Sequence, residues 1–500
     1  MKKLLFLSFS ALCILIASCS KDSGFDPGSG LSPELSKGYP AHTSVIVVPP
    51  NQDGDGDDTD DLLAAFTSAG PGTVIRLLEG VYYVGYMEIS DFNGSLIGAG
   101  KSKTIIYPET PIDNQSQLDR NIVPTWWRFI GGNILISNLT FDTTVPEPIQ
   151  NYNHELWMGK DLFAMLIFND YNVNSIADNT YQKALVKDVD FIGGYDDAGG
   201  DPGSYQWMTD HNVIEGIWIG LDYGFPLSGV NYPLTKGEYH LENCYFEHIL
   251  SGIEAFGAGE KASISVSNSK FNNCMCQAYF TTNFNSRITL TNNVFSGSTG
   301  NDLVIEDTDW GLVYGYAIIE PVRRTQYTLT GNIFNASPST SSVILWDDWV
   351  AQNQDDILPM QLKVNGNTFN LTEGSTGLTA INSQDAIIKN NRFKGTCLTG
   401  IMVDGIPADR FGTPLQNPDK AYADNVLLLG NSFSGLAAEA DIILGERSRN
   451  CTVVGAEKDE IVDNGTNNKV IGTKPLHKGY NFGPFIMDNF RMWRHGMRHH

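Results

Sequence analysis

The chain is 500 residues long, carries a formal net charge of −24 at pH 7, and has only 18% charged and 11% aromatic residues. So acidic a protein repels phosphates, which argues against nucleic acid and anionic lipid surfaces as partners. Fifty glycines, with abundant Asn and Thr, suit a β-protein with many turns. Beyond the first twenty residues the cysteines are Cys244, Cys274, Cys276, Cys397 and Cys451, an odd set with irregular spacing and so no disulfide framework.

Residues 1–19 read as a targeting segment. Lys2 and Lys3 form a basic start, and Leu4 to Ile16 is an apolar run too short to span a bilayer well. Ile16-Ala17-Ser18-Cys19 resembles the lipobox of bacterial lipoproteins. That resemblance implies that Cys19 is diacylated and becomes the first mature residue, tethering the protein at the outer membrane; an ordinary cleaved signal is the other reading. Residues 20–44 are a Gly/Ser/Pro-rich tether, whose Lys21-Asp22 resembles the export signal of some surface-exposed lipoproteins.

Residues 45–71 read as an N-terminal cap. Val45-Ile-Val-Val48 is a strand, and Asp60 to Phe66 is a short amphipathic helix with Thr59 or an Asp as its N-cap and acids in its first turn. Asp53, Asp55 and Asp57 have calcium-loop spacing. Asp58 stands where such a loop needs glycine, and Ala64 where it needs an acid, so the run reads first as a cap and second as a Ca2+ site.

Residues 72–472 are organised by a repeat. Ser265-Val-Ser-Asn-Ser-Lys-Phe271 and Thr289-Leu-Thr-Asn-Asn-Val-Phe295 agree in kind at nearly every column, 24 residues apart. The same line ends at Phe141, Phe191, Phe246, Phe334, Phe369, Phe393 and Phe433. An alternating strand runs into an Asn or Gly turn and then a Phe. A second β-prone run follows the later copies at Ile253, Tyr279, Leu303, Val343, Leu378, Ile401 and Ile442. A period of this size means stacked coils, each too small to bury its own apolar face. The pattern predicts an internal column of Phe rings, left-handed turns at the Asn or Gly, and Asn side chains bonded from coil to coil.

This line, with the opening at 45–107, resembles the right-handed parallel β-helix of the pectate-lyase-like superfamily, to which polygalacturonases also belong. The resemblance implies an all-β fold: one β-solenoid of about a dozen coils, a short N-terminal capping helix, and several long loop insertions. At roughly 4.8 Å per coil it would be about 55–60 Å long. The insertions fall between Thr143 and Gly237, at Asp307–Arg324, at Trp346–Pro359 and at Ile406–Ala423. Residues 473–500 lose the pattern and end in a basic, aromatic tail, which either caps the stack or docks in an acidic groove.

The strand after each Phe turn carries outward polar groups that align between coils: Glu215 with Trp218, then Glu254, Glu306 with Asp307, Trp346-Asp-Asp-Trp349, Asn382 and Asp404. Acids for hydroxyls and flat rings for stacking are what a sugar chain needs, and paired acids on adjacent coils suit glycoside hydrolysis. Asp347, Asp348 and Asp307 are therefore the candidate catalytic residues. Trp218, Glu254, Glu306, Trp346, Trp349 and Asp404 are the candidates for binding. Polygalacturonases have an Asp pair like Asp347-Asp348, but their Asn-Thr-Asp and Gly-His-Gly signatures are absent here, as is the Trp-x-Asp-His of pectate lyases. The expectation is an envelope-anchored monomer that binds and cleaves an extracellular polysaccharide, as a hydrolase rather than a lyase. A non-catalytic glycan-binding or adhesive surface protein is the alternative, and Ca2+ is the one cofactor the reading leaves open.

Overall fold

The computed structural model describes residues 44–51, 57–108, 125–144, 162–169, 181–194, 213–220, 235–256, 258–281, 286–307, 325–338, 340–348, 359–408, 414–455 and 460–473. In each copy of the repeated line the chain bends at a residue with left-handed backbone. Asn138, Asp188, Asn243, Asn268, Asn292 and Asn390 have φ of 53–58°, and Gly331, Gly366 and Gly430 have φ of 63–68°. Only Gly, Asn and Asp adopt that conformation readily, so the residue type at the bend follows from backbone sterics.

The strands on either side of the bend pair in parallel with those of the next coil. Phe141 registers with Phe191, then Phe246, Phe271, Phe295, Phe334, Phe369 and Phe393. Through Phe433 the neighbouring rings lie 4.5–5.5 Å apart, centroid to centroid, and stack nearly parallel. Each buried ring contributes roughly 1.5–3 kcal/mol. Beside this column runs a row of buried amides. Asn293, Asn332 and Asn367 each donate their backbone N–H to the next side-chain oxygen at 2.9 Å, reaching Asn332, Asn367 and Asn391, and Asn391 does the same to Asn431 at 3.0 Å. The fold matches the expected Phe column, turns and Asn ladder.

Two of the three faces form one 23-stranded sheet, joined because the strands Asn133–Asp142 and Gln182–Ile192 run through the bend. The third face is a 12-stranded sheet from Met87–Ser90 to Ile461–Asp463, matching the expected dozen coils. The expected second runs all lie in it. The winding is a right-handed parallel β-helix, the hand that parallel crossovers adopt.

At the N-terminal end the helix Thr59–Ser68 turns Leu62, Ala65 and Phe66 into the core. The Phe66 ring meets Phe92, Trp127 and Phe129 edge-on at 5.0–6.5 Å. Asp58 occupies the N-cap position without bonding the first turn; its carboxylate instead accepts the N–H groups of Asn51 and Tyr83. Asp57 Oδ1 takes the Thr59 N–H.

Candidate functional site

The 12-stranded sheet has an unusual outer face. In each strand two successive residues turn inward: a Cβ on Gly252 would lie 2.7 Å from the Phe271 ring, and the next residue, Ile253, is in the core. The residues before and after this pair therefore both face out, so Glu215 and Trp218 share one face although they are three positions apart. The outward Tyr279, Val304, Ile344, Trp346 and Ile381 form a buried apolar cluster of their own, separate from the interior.

The register sets the acids among these side chains. Glu215 pairs with Ser251, Trp218 with Glu254, and Glu254 with Tyr279. Two strands on, Glu306 pairs with Trp346 and Asp307 with Asp347. Trp218, Glu254, Glu306, Trp346, Asp347 and Asp348 are all 5% exposed or less, so this band of rings and acids is buried. The Asp307 side chain, Trp349 and Cys19 lie outside the described residues, as do Asp53, Asp55 and the basic tail.

Each acid has its own setting. Tyr279 donates its O–H to Glu306 Oε1 at 2.7 Å. Asp347 Oδ2 accepts the Met360 N–H at 3.0 Å, fastening the far end of an insertion to the strand that begins it. Asp348 Oδ1 accepts the Trp346 indole N–H and, at 2.8 Å, the Asn382 amide. Burial holds the Asp348 carboxyl well above the usual carboxylate range despite those two donors, and the nearby Glu306 and Asp347 push it the same way. Burial also raises Glu215 well above its ordinary value, helped by Glu254 against it. Asp404, half-buried at the edge of the band, accepts the Gly405 and Arg447 N–H groups at 2.8 and 2.9 Å, and burial raises its pKa.

Asp348 is thus a buried carboxyl that its setting pushes toward the protonated form, with a second carboxyl, Glu306, acting on it from the neighbouring strand. The indole of Trp346 is buried, and its N–H serves Asp348. The sequence reading missed Tyr279 as the partner of Glu306, although Tyr279 falls in the same row as Trp218 and Glu254. Among the described residues no three His, Cys, Asp or Glu side chains gather as a metal site, and the five cysteines are free and buried.

No known protein family and no curated protein sequence matches the chain. Solved structures do resemble it. The mannuronan C-5 epimerase AlgE4 A-module of Azotobacter vinelandii is 14% identical over 86% of this chain and 96% of its own, with a TM-score of 0.39. A mannuronic acid-specific polysaccharide family 6 lyase from human gut microbiota is 11% identical over 89% and 94%, with a TM-score of 0.42. A polygalacturonase from Erwinia carotovora ssp. carotovora is 10% identical over 89% and 96%, with a TM-score of 0.37. Likenesses this distant assign no role to any residue of this chain.

Proposed function

We propose that this protein binds and hydrolyses an extracellular polysaccharide along the outer face of the 12-stranded sheet, tethered to the cell envelope through Cys19. The observation that carries the reading is Asp348, a buried carboxyl one strand from Glu306 with two N–H donors on Oδ1 and, among the described residues, none on Oδ2. Asp348 acts as general acid and Glu306 as the base that activates water. General acid catalysis needs a carboxyl whose pKa is lifted toward the working pH, and burial supplies that lift.

In the step, Asp348 passes its proton to the glycosidic oxygen, which keeps the electron pair of the breaking C–O bond. Water adds its oxygen to the anomeric carbon and yields a proton to Glu306. Tyr279 orients Glu306 through its hydroxyl. Hydrolysis is favoured over elimination because the seven strands from Val213–Gly220 to Thr399–Asp404 contain no Lys or Arg to neutralise a uronate. Asp347, engaged with the Met360 N–H, supports the site as an anchor for the insertion.

The test is product analysis by mass after incubation with neutral and uronic polysaccharides. Hydrolysis yields oligosaccharides with added water, and Asp348→Asn lowers kcat by about 10²–10⁴-fold. Unsaturated products would mean a lyase. No cleavage, with retention on one of these glycans, would leave a binding protein. Membrane fractionation of Cys19→Ser tests the tether, since release into the soluble fraction is expected.

A further inference from the structure

We infer that Trp346 and Asn382 are positioning residues that hold the acidic hydrogen of Asp348 on Oδ2 and aim it at the substrate oxygen. The inference rests on the reading of Asp348 as the general acid. It comes from the hydrogen bonds of a single carboxyl group.

Asp348 Oδ1 receives two N–H groups, the indole of Trp346 and the amide of Asn382. Neither can reverse its role. An indole nitrogen only donates, and the Asn382 amide oxygen is already taken by the Ile406 N–H at 2.8 Å. The second amide hydrogen of Asn382 goes to Ile406 O at 3.1 Å, so the amide cannot flip without losing several bonds. An oxygen that faces two donors has no place for a hydrogen of its own. The neutral acid therefore carries its hydrogen on Oδ2.

Oδ2 is buried and has no hydrogen-bond partner among the described residues. Neither Glu306 nor Asp347, the carboxyls that act on it electrostatically, bonds to it. A buried polar group left unmatched is costly, and such exceptions concentrate where a ligand supplies the missing partner. Asn382 also holds a left-handed backbone, with φ of 50°, that fixes where its amide points. The Trp346 ring is fully enclosed and cannot turn away.

The arrangement serves both ends of the proton transfer. Before it, the two donors on Oδ1 leave Oδ2–H as the only hydrogen able to move. During it, the Oδ2–H bond breaks, the hydrogen goes to the glycosidic oxygen, and the C–O pair stays on that oxygen. Afterwards Asp348 is an anion, and the same two donors stabilise its new charge.

Infrared difference spectroscopy on the full chain at neutral pH tests this without relying on activity. The protonated carboxyl band of Asp348 is assigned by its loss in Asp348→Asn. With the hydrogen on Oδ2 the carbonyl oxygen is Oδ1, so Trp346→Phe removes one of its two hydrogen bonds and the band moves to higher frequency. Asn382→Ser moves it the same way; because that change also releases Ile406, a melting curve accompanies it. Trp346→Phe is also expected to lower kcat about tenfold with little change in KM, the split of an interaction made in the transition state. An Asp348 band that stays put in both variants, or no such band in the native chain, overturns the proposal. A band that shifts while no polysaccharide is cleaved overturns the hydrolase reading and leaves the proton on Oδ2.

Discussion

Asp302 shows how a single residue can couple this fold to pH. It is fully buried, with the Ser298 hydroxyl on Oδ1 at 2.8 Å and the Ser342 hydroxyl on Oδ2. Burial lifts its pKa from 3.8 to about 7 against the pull of those hydroxyls. The folded protein therefore holds this proton over a range where the unfolded chain has lost it. The resulting stabilisation is complete below pH 3.8 and fades as pH rises through 7, amounting to about 4 kcal/mol at most. Asp302→Asn needs no proton, so its melting temperature is expected to fall less than the native protein's between pH 5 and pH 8. Equal falls in the two proteins would rule Asp302 out as the source. Sequence reading missed this residue for a local reason. Simple alternation puts Asp302 on the same face as Val304, whereas the two successive inward residues of each strand turn it into the coil.

At the scale of the element, the repeat was legible because each column answers one physical demand. The bend needs a left-handed backbone, hence Asn, Asp or Gly; the next position feeds the amide ladder; the Phe fills the column. These demands are local, so they survive insertions of any length. The site was only half legible. The rows of outward acids could be read from strand character, but the bond between Asp348 and Asn382 joins residues 34 apart across two coils and depends on register. Asn332 gives the element its sharpest test. Its Oδ1 accepts the Asn293 N–H at 2.9 Å and its amide donates to Leu290 O at 3.0 Å and Asn367 Oδ1 at 3.0 Å. Asn332→Ala leaves buried groups unmatched on both sides, and a loss of about 3 kcal/mol by chemical denaturation is expected. Asn332→Asp puts an acceptor oxygen against Leu290 O and Asn367 Oδ1 in place of the amide donor, and is expected to cost at least as much.

At the scale of the molecule, a solenoid differs from a globular domain because each coil touches only its neighbours. Stability is then a sum of coil and interface contributions, and damage stays near where it is done. The two ends are the exposed places, since a terminal coil has a neighbour on one side only. Here the helix Thr59–Ser68 supplies the missing neighbour at the N-terminal end, with Phe66 set against Phe92, Trp127 and Phe129. Phe66→Ala empties that contact and costs about 3–5 kcal/mol locally. Because the energy is lost at one end, hydrogen exchange should quicken at Val74–Leu77 and Met87–Ile89 and stay slow in the strands around Phe369. Asn332→Ala, placed mid-stack, should instead loosen the coils on both its sides. Uniform loss of protection in both variants would mean that the coils unfold as one unit. The helix would then be an ordinary part of a single cooperative core, not a cap.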